Sequence, residues 1–280
     1  MLCDIFTYGS HGLCGIECNS STSDITVVFI PGLTEGFLQP SYVPDLSAFL
    51  GGYGVRFFQP MLRSSYGGWG SASLESDAAD LGEFIEHIRQ VRSVAKIVLI
   101  GHSTGCQGII HCLKCFQIDN IHSIILQGAV SDRQAWDVAC EGNPVMTQLR
   151  QVMHGKALET DPLNFLPREA GSLVREGDVL TAERFLSLNG TATLDDMFSS
   201  DLSDDYQKKL FLHIKEPVLI VQSLQDEFIP KHIDPAKLAL KISRNFPRGA
   251  CVCIPGDHGL KDADFLGVVG HFLCLKIRVF

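Results

Sequence analysis

One stretch decides the fold: Ile97-Val98-Leu99-Ile100-Gly101-His102-Ser103-Thr104-Gly105. Its first four residues predict a buried strand, and the apolar positions within 109–113 predict a helix directly behind the turn. A serine at the apex of such a strand, turn and helix occupies a nucleophile elbow. Because the turn is strained, the residues two before and two after Ser103 must be small, and Gly101 and Gly105 meet this need. The stretch therefore predicts that Ser103 is a nucleophile raised above one edge of a sheet.

Strand and helix signals alternate along most of the remaining chain. Six runs rich in Val, Ile, Leu and Phe are predicted strands, at 25–30, 55–59, 96–100, 122–126, 217–221 and 250–254. Most are continuously apolar, as strands covered on both faces should be. The first twenty residues are patterned more weakly and predict an antiparallel hairpin at the sheet edge. Together the pattern predicts the α/β-hydrolase fold, a mostly parallel central sheet with helices on both faces.

The segment 131–213 breaks this alternation. It has no strong strand signal, several short amphipathic pieces, and a polar acidic stretch near 195–205. We predict a core formed by 1–130 and 214–280, with 131–213 as a mostly helical cap or lid over the active site. A disordered insertion is the alternative, which Phe165, Phe185 and Phe198 argue against, because disordered segments are poor in aromatic residues.

A serine nucleophile needs a base and an acid, which in this fold follow it in the chain as acid and then histidine. The predicted acid is Asp226, in the turn after the strand 217–221, where a carboxylate points into the ligand-binding crevice. Glu227 is its neighbouring competitor, but adjacent side chains face different ways.

The predicted base is His258, in Pro255-Gly256-Asp257-His258-Gly259, after the strand 250–254. The flanking glycines let this loop bring an imidazole over the serine. His232 is the one serious rival among the other histidines, and His102, inside the elbow, is expected to pack or hydrogen-bond locally.

An oxyanion hole needs two N–H donors. Thr104, at the start of the helix after the elbow, is one expected donor, since helix N-termini bind anions. The other is expected in the loop after the strand 25–30, at Leu33, with Thr34 as the fallback. In the loop 63–70, Tyr66 and Trp69 are candidate substrate-binding residues, with anchoring of the loop as an equally weighted alternative.

Composition narrows the partners. The formal net charge is −9 and no long basic block is present, which argues against nucleic acid and leaves a neutral or cationic small molecule open. No window approaches the ~18 apolar residues of a membrane span, and the N-terminus lacks the basic and apolar regions of a signal peptide. Ten cysteines without such a signal predict reduced thiols and a cytoplasmic location.

No metal or cofactor is predicted. His111, Cys112 and Cys115 resemble a metal knuckle superficially, but they lie on the helix after the elbow and no second pair of the CxxC type accompanies them. The sequence carries no prediction of oligomeric state.

Several longer strings resemble one eukaryotic α/β-hydrolase family, which includes the fungal fusarinine-type siderophore esterase. The strings that carry the resemblance are Gly101-His102-Ser103-Thr104-Gly105-Cys106-Gln107, Phe58-Gln59-Pro60, Ser64-Ser65-Tyr66 with Gly68-Trp69-Gly70, Arg184-Phe185-Leu186-Ser187-Leu188, and Asp195-Asp196-Met197-Phe198-Ser199-Ser200-Asp201-Leu202. The resemblance covers most of the chain and implies a triad at Ser103, Asp226 and His258. It also implies that 195–196 and 199–201 serve the cap.

The predicted function is a serine hydrolase that cleaves a small-molecule carboxylic ester through a Ser-His-Asp triad and an acyl-enzyme. An ester is favoured because an alkoxide leaves more easily than an amine. An amidase or peptidase on the same triad is one alternative. A non-catalytic binding protein on a hydrolase fold is another, because a fold alone does not fix activity.

Overall fold

The described residues form one eight-stranded sheet. A computed structural model describes residues 2–19, 25–175, 177–260 and 264–277. The strands are β1 (Cys3–Tyr8), β2 (Leu13–Cys18), β3 (Ile25–Ile30), β4 (Arg56–Pro60), β5 (Lys96–His102), β6 (Ile121–Gln127), β7 (Val218–Ser223) and β8 (Gly249–Ile254). Their order is β1-β2-β4-β3-β5-β6-β7-β8. The pairs β1–β2 and β2–β4 are antiparallel, and the other neighbours are parallel, which confirms the predicted fold class.

Helices cover both faces of this sheet. They are α1 (Val43–Gly52), α2 (Leu74–Arg92), α3 (Thr104–Cys115), α4 (Asp132–Cys140), α5 (Pro144–Glu159), α6 (Ala182–Asn189), α7 (Asp204–Phe211), α8 (Pro235–Arg244) and α9 (Phe265–Ile277). Alternate residues of β3 enter two cores: Val28 and Ile30 pack on the side of α2, α3 and α8, whereas Val27 and Phe29 pack on the side of α1 and α9. Burial on both faces explains why the strands are continuously apolar.

The helix α2 shows how local sequence sets an element. Its apolar positions recur at three- and four-residue spacing, as the sequence predicts, and all are buried: Leu74, Ala78, Leu81, Ile85 and Ile88. The Ser73 side chain caps its first turn by accepting from the Ser76 N–H, and the helix ends at Ser93, which is left-handed at φ 53°. In the described part of the chain, no helix combines the length and apolar character that a membrane span requires.

The predicted N-terminal hairpin is present as β1 and β2 at the sheet edge, and it corrects one expectation. Cys3 and Cys18 lie directly opposite each other in the register and form a disulfide, with Cα atoms 4.3 Å apart. The expectation that all the cysteines are reduced is therefore wrong for this pair. The reason is the antiparallel register, which brings opposite Cβ atoms within disulfide reach. The cytoplasmic location, which depended on reduced thiols, remains a prediction.

The segment between β6 and β7 divides between two cores. Residues of α4, α5 and α6 form a separate apolar cluster whose large members include Trp136 and Phe185. Further along the segment, Phe198, Phe211 and Ile214 pack into the main core on the α2 side of the sheet. The predicted cap boundaries at 131 and 213 remain a prediction. The residues that this segment contributes to the separate apolar cluster all lie between 136 and 188.

Candidate active site

The serine lies between β5 and α3, in the strained turn that the sequence predicts. Ser103 has φ 52° and ψ −125°, a region that L-residues occupy only where the surrounding structure enforces it. A Cβ atom on Gly101 would lie 2.9 Å from the Cys106 nitrogen, and one on Gly105 would lie 2.3 Å from the Ile30 carbonyl oxygen. Both glycines are therefore required for the turn to close, and Gly105 also lets the end of β3 approach it.

Asp226 and His258, predicted from loops 32 residues apart, are in direct contact. The Asp226 Oδ2 atom lies 2.9 Å from His258 Nδ1, in a buried pair. The carboxylate also accepts from Gln222 Nε2 at 3.0 Å and from the Phe228 N–H at 3.1 Å. Three donors therefore hold the Asp226 carboxylate in place. The carboxylate in turn fixes the orientation of the imidazole through its Nδ1 edge.

Glu227, the competitor for the acid position, has a different task. Its Oε2 atom accepts from the His258 backbone N–H at 2.8 Å, so it fixes the loop and not the imidazole. A Cβ atom on Gly128 would lie 2.8 Å from His258 Cε1, so the ring rests against bare backbone. The other nitrogen, His258 Nε2, is buried and has no hydrogen-bond partner among the described residues. His232, the rival base, is exposed.

The loop after β3 is packed against the serine. A Cβ atom on Gly32 would lie 2.8 Å from the Ser103 Cβ atom, which is why glycine is needed there. The loop turns back on itself, because the Glu35 N–H donates to the Gly32 carbonyl at 3.2 Å and the Gly32 N–H donates to Glu35 Oε2 at 2.6 Å. Leu33 and Thr34 form the apex of this turn, beside Ser103.

A second histidine–carboxylate pair, which the sequence reasoning missed, supports this loop. His102 Nε2 lies 3.4 Å from Glu35 Oε1, and His102 Nδ1 is hydrogen-bonded to Gln127 Oε1. Burial alone would lower the pKa of His102, but Glu35 and Gln127 raise it above its ordinary value. Burial would likewise raise the pKa of Glu35, but His102 and the Gly32 N–H lower it below its ordinary value. The expectation that His102 hydrogen-bonds locally is confirmed.

Gln127, at the end of β6, links the two pairs. Its Oε1 atom accepts from the Tyr42 hydroxyl at 3.0 Å as well as contacting His102, and its Nε2 atom donates to the His258 carbonyl at 3.0 Å. One buried amide therefore connects the loop that carries His258 with the histidine that holds the Glu35 loop. A glutamine at the end of an apolar strand was the one available sequence signal for this link.

Ser103, His258 and the Leu33 loop line one cavity of about 480 Å³. Its walls are mostly apolar and come from the β3 and β6 loops, α4, the segment before α6, and the turn after β7: Leu33, Val130, Ala135, Trp136, Val174 and Phe228. The Phe228 and His258 rings pack edge to face, with their centroids 4.7 Å apart. A small apolar or amphipathic group fits this lining.

The two substrate-binding candidates of the loop 63–70 are not among the residues that line this cavity, and the contacts of both are those of loop anchors. Trp69 is fully buried in the apolar cluster of α4 to α6 and donates through Nε1 to Asp178. Tyr66 packs on the loop after β3: its hydroxyl accepts from the Phe37 N–H, and a Cβ atom on Gly36 would overlap its ring. Both side chains fix loops next to the site and leave the cavity walls to other residues.

The acidic strings near 195–201 bind arginines of the same segment. Arg184 Nη1 lies 2.8 Å from both carboxylate oxygens of Asp195, and Arg133 Nε lies 3.3 Å from Asp196. Because buried guanidinium–carboxylate pairs have defined geometry, they connect α4 and α6 to the residues 195–196. A role of these strings in the cap remains what the resemblance implies.

The fold and the elbow define an α/β-hydrolase. The structure is similar to the siderophore hydrolase EstB from Aspergillus fumigatus, with a TM-score of 0.83 and 25% identity over 99% of this chain and 98% of that one. The chain belongs to the family described as "protein of unknown function (DUF1749)", whose model matches residues 5–252.

Two sequence relatives are fungal. A UPF0613 protein from Schizosaccharomyces pombe is 32% identical over 244 residues, covering 81% of this chain and 76% of that protein. The fusarinine C esterase sidJ from Aspergillus fumigatus is 30% identical over 257 residues, covering 75% of this chain and 73% of that protein. These findings confirm the predicted family resemblance and the prediction of a carboxylic ester hydrolase.

Proposed function

We propose that this chain is a serine esterase in which Ser103, His258 and Asp226 form the catalytic triad. The observation that carries the proposal is the buried contact of 2.9 Å between Asp226 and His258, because the His258 side of this pair lines the same cavity as Ser103. Asp226 holds the Nδ1 proton of His258. Because His258 Nε2 has no hydrogen-bond partner among the described residues, it is the nitrogen free to accept the Ser103 proton.

The acylation half follows from this assignment. His258 Nε2 takes the hydroxyl proton while Ser103 Oγ attacks the ester carbonyl, and the carbonyl oxygen becomes an oxyanion. The N–H groups of Leu33 and Thr104 are the proposed donors to that oxyanion. The close approach of Gly32 to Ser103 and the position of Thr104 as first residue of α3 support both. The imidazolium then protonates the departing alkoxide, and an acyl-enzyme remains.

Deacylation repeats the same steps with water. His258 removes a proton from a water molecule, the hydroxide attacks the acyl carbonyl, and collapse of the second oxyanion returns the proton to Ser103 and releases the acid. All the groups that these steps require are side chains and N–H groups of this chain.

Fusarinine C is a second, narrower candidate for the substrate. Two similar proteins favour it: sidJ, which is named a fusarinine C esterase, and EstB, which is named a siderophore hydrolase. A panel that pairs 4-nitrophenyl butyrate, its anilide and fusarinine C would separate an esterase, an amidase and a siderophore esterase by the ratio of their kcat/KM values.

The test of the triad is Ser103→Ala. We expect it to lower kcat on 4-nitrophenyl butyrate by on the order of 10⁵-fold or more and to abolish labelling by a fluorophosphonate probe, because no other group replaces the attacking oxygen. The matched control is Ser71→Ala, which removes an exposed serine hydroxyl that donates to Gly68 and should leave both unchanged. Turnover that survives in a folded Ser103→Ala protein would overturn the mechanism, and an unlabelled wild-type protein would favour the non-catalytic alternative.

A further inference from the structure

A carboxylate that the triad does not use lines the catalytic cavity. Asp132 is the first residue of α4, directly after the helix cap Ser131, and it shares the cavity with Ser103 and His258. Its Oδ2 atom accepts from Gln107 Nε2 at 2.8 Å. Gln107 lies in α3, four residues or about one helical turn after Ser103.

No cation neutralises this carboxylate within the protein. Among the described residues, no Lys, Arg or His nitrogen lies within ion-pair distance of Asp132, and the residues that line the cavity include no Lys or Arg. The cation that acts electrostatically on Asp132 is Arg184, which already binds Asp195 through two contacts of 2.8 Å. Asp132 is half-buried, and a carboxylate partly removed from water without an opposite charge is unfavourable, so a counter-ion from outside the chain would be stabilised there.

The groups that face Asp132 are mostly negative. Burial, followed by Asp195, raises the pKa of Asp132 to about 7, and Asp196 acts in the same direction, whereas Arg184 opposes them. Within the cavity the remaining titratable groups are His258 and the paired Glu35 and His102. This environment favours a cation over an anion or a neutral hydroxyl, in keeping with the formal net charge of −9.

One face of the helix α4 lines the cavity around Asp132. Asp132, Ala135, Trp136 and Ala139 all line the cavity, and their spacing of i, i+3, i+4 and i+7 places them on one face of the helix. The two alanines leave room for methylene groups beside the buried Trp136 indole, whose ring already faces the Arg150 guanidinium at 6.0 Å to its centroid.

We propose that Asp132 binds an ammonium group of the substrate, so that the enzyme prefers esters that carry a cationic amine several bonds from the scissile carbonyl. This inference rests on the proposed serine esterase function and names its substrate class. A purely structural Asp132 would need only to accept from Gln107, which an asparagine oxygen does equally well. The substitution Asp132→Asn therefore removes the charge and keeps the contact.

The test compares esters that differ in charge and not in shape. One series contains 4-methylumbelliferyl esters of ω-trimethylammonio acids with three- to six-carbon spacers, each matched by its tert-butyl isostere. A second series places the same groups on the alcohol of butanoate esters. Hydrolysis in this series is measured by the acid that it releases. Quaternary ammonium groups cannot cyclise onto the ester, and assays at pH 8 keep Asp132 largely ionised.

We expect the wild-type protein to prefer the ammonium member at least about tenfold in kcat/KM at its best spacer length, which corresponds to about 1.4 kcal/mol. Asp132→Asn should reduce this preference to about twofold or less and keep kcat/KM for the tert-butyl member within about threefold. The matched control is Asp137→Asn, on the same helix but in an exposed pair with Arg150 and outside this cavity; it should keep the wild-type preference.

Two results would overturn the inference alone: equal rates for both members in every series, or an unchanged preference in Asp132→Asn. Failure of the proposed function has a different signature. In that case the wild-type protein would hydrolyse neither member of any pair and Ser103 would not react with a fluorophosphonate, and this inference would fall with it.

Discussion

Two histidine–carboxylate pairs lie side by side at the cavity, with ring centroids 4.8 Å apart: His258 with Asp226, and His102 with Glu35. Each imidazole has a carboxylate at one nitrogen. They differ at the other nitrogen, because His258 Nε2 has no hydrogen-bond partner among the described residues, whereas His102 Nδ1 is bound to Gln127. A histidine whose nitrogens are both engaged cannot accept a proton from a serine. The comparison therefore supports the proposed role of His258 in proton transfer and suits His102 to positioning.

The two carboxylates differ in the same sense. Asp226 follows β7 and binds only its own turn, Gln222 and the imidazole, so its effect is concentrated on His258. Glu35 bridges His102 and the Gly32 N–H, so its effect is on the shape of the loop beside Ser103. In the proposed mechanism, the same chemical pairing thus orients the base in one place and shapes the proposed oxyanion loop in the other.

The histidines give the largest expected contrast. His258→Gln should lower kcat on 4-nitrophenyl butyrate by on the order of 10⁵-fold, because the base is lost. His102→Gln should lower it by only about tenfold, through a small displacement of the loop. Single-turnover kinetics on both folded variants would measure the difference. Equal losses would break the comparison and give His102 a part in the chemistry.

The carboxylates should differ less. Asp226→Asn should lower kcat by roughly 10³- to 10⁴-fold, because an amide favours the wrong imidazole tautomer. Glu35→Gln should lower kcat by about tenfold or less, because the glutamine oxygen can still accept from the Gly32 N–H. The kcat values of the two variants under saturating substrate test this order. A larger loss in Glu35→Gln than in Asp226→Asn would reverse the assignment of the two acids.

The pairs also show what the sequence could predict. Ser103, Asp226 and His258 each follow a buried strand, and the order of such strands in a parallel sheet brings their carboxyl ends to one edge. The fold and the contact between Asp226 and His258 were therefore predictable from strand position alone. Glu35, His102 and Gln127 form a contact set that depends on which way three side chains turn within that edge, and no periodicity encodes this.

The same reason explains why the two candidates of the loop 63–70 do not line the cavity. Its place at the carboxyl edge of the sheet suggested pocket walls, but Trp69 is drawn into the apolar cluster of α4 to α6, where its full side chain is buried. The cavity wall is supplied instead by Trp136 and the rest of the α4 face. Aromatic residues near a site go where most apolar area is buried, and that depends on the packing of a segment whose topology the sequence pattern did not specify.

The smallest expected effect is on the stability of the fold. The pH dependence of this effect distinguishes the His102–Glu35 pair from an ion pair at the surface. His102 has a raised pKa, so its contribution to stability is complete below its ordinary value of 6.5 and is lost as the pH rises through the raised value. Glu35 has a lowered pKa, so its contribution is complete above its ordinary value of 4.5 and is lost as the pH falls through the lowered value. Both contributions are present together near pH 6.

We therefore expect Glu35→Gln to lower Tm by about 3 °C at pH 6, where a chain of this size loses roughly 2–4 °C for each kcal/mol, and by about 1 °C or less at pH 9. The matched control is Asp137→Asn, whose ion pair with Arg150 contains no imidazole, so its small effect should be the same at both pH values. Differential scanning calorimetry of the three proteins measures these shifts. A Glu35→Gln effect that does not shrink between pH 6 and pH 9 would mean that Glu35 supports its loop through the Gly32 contact alone, and that His102 is held by Gln127 without help from a charge.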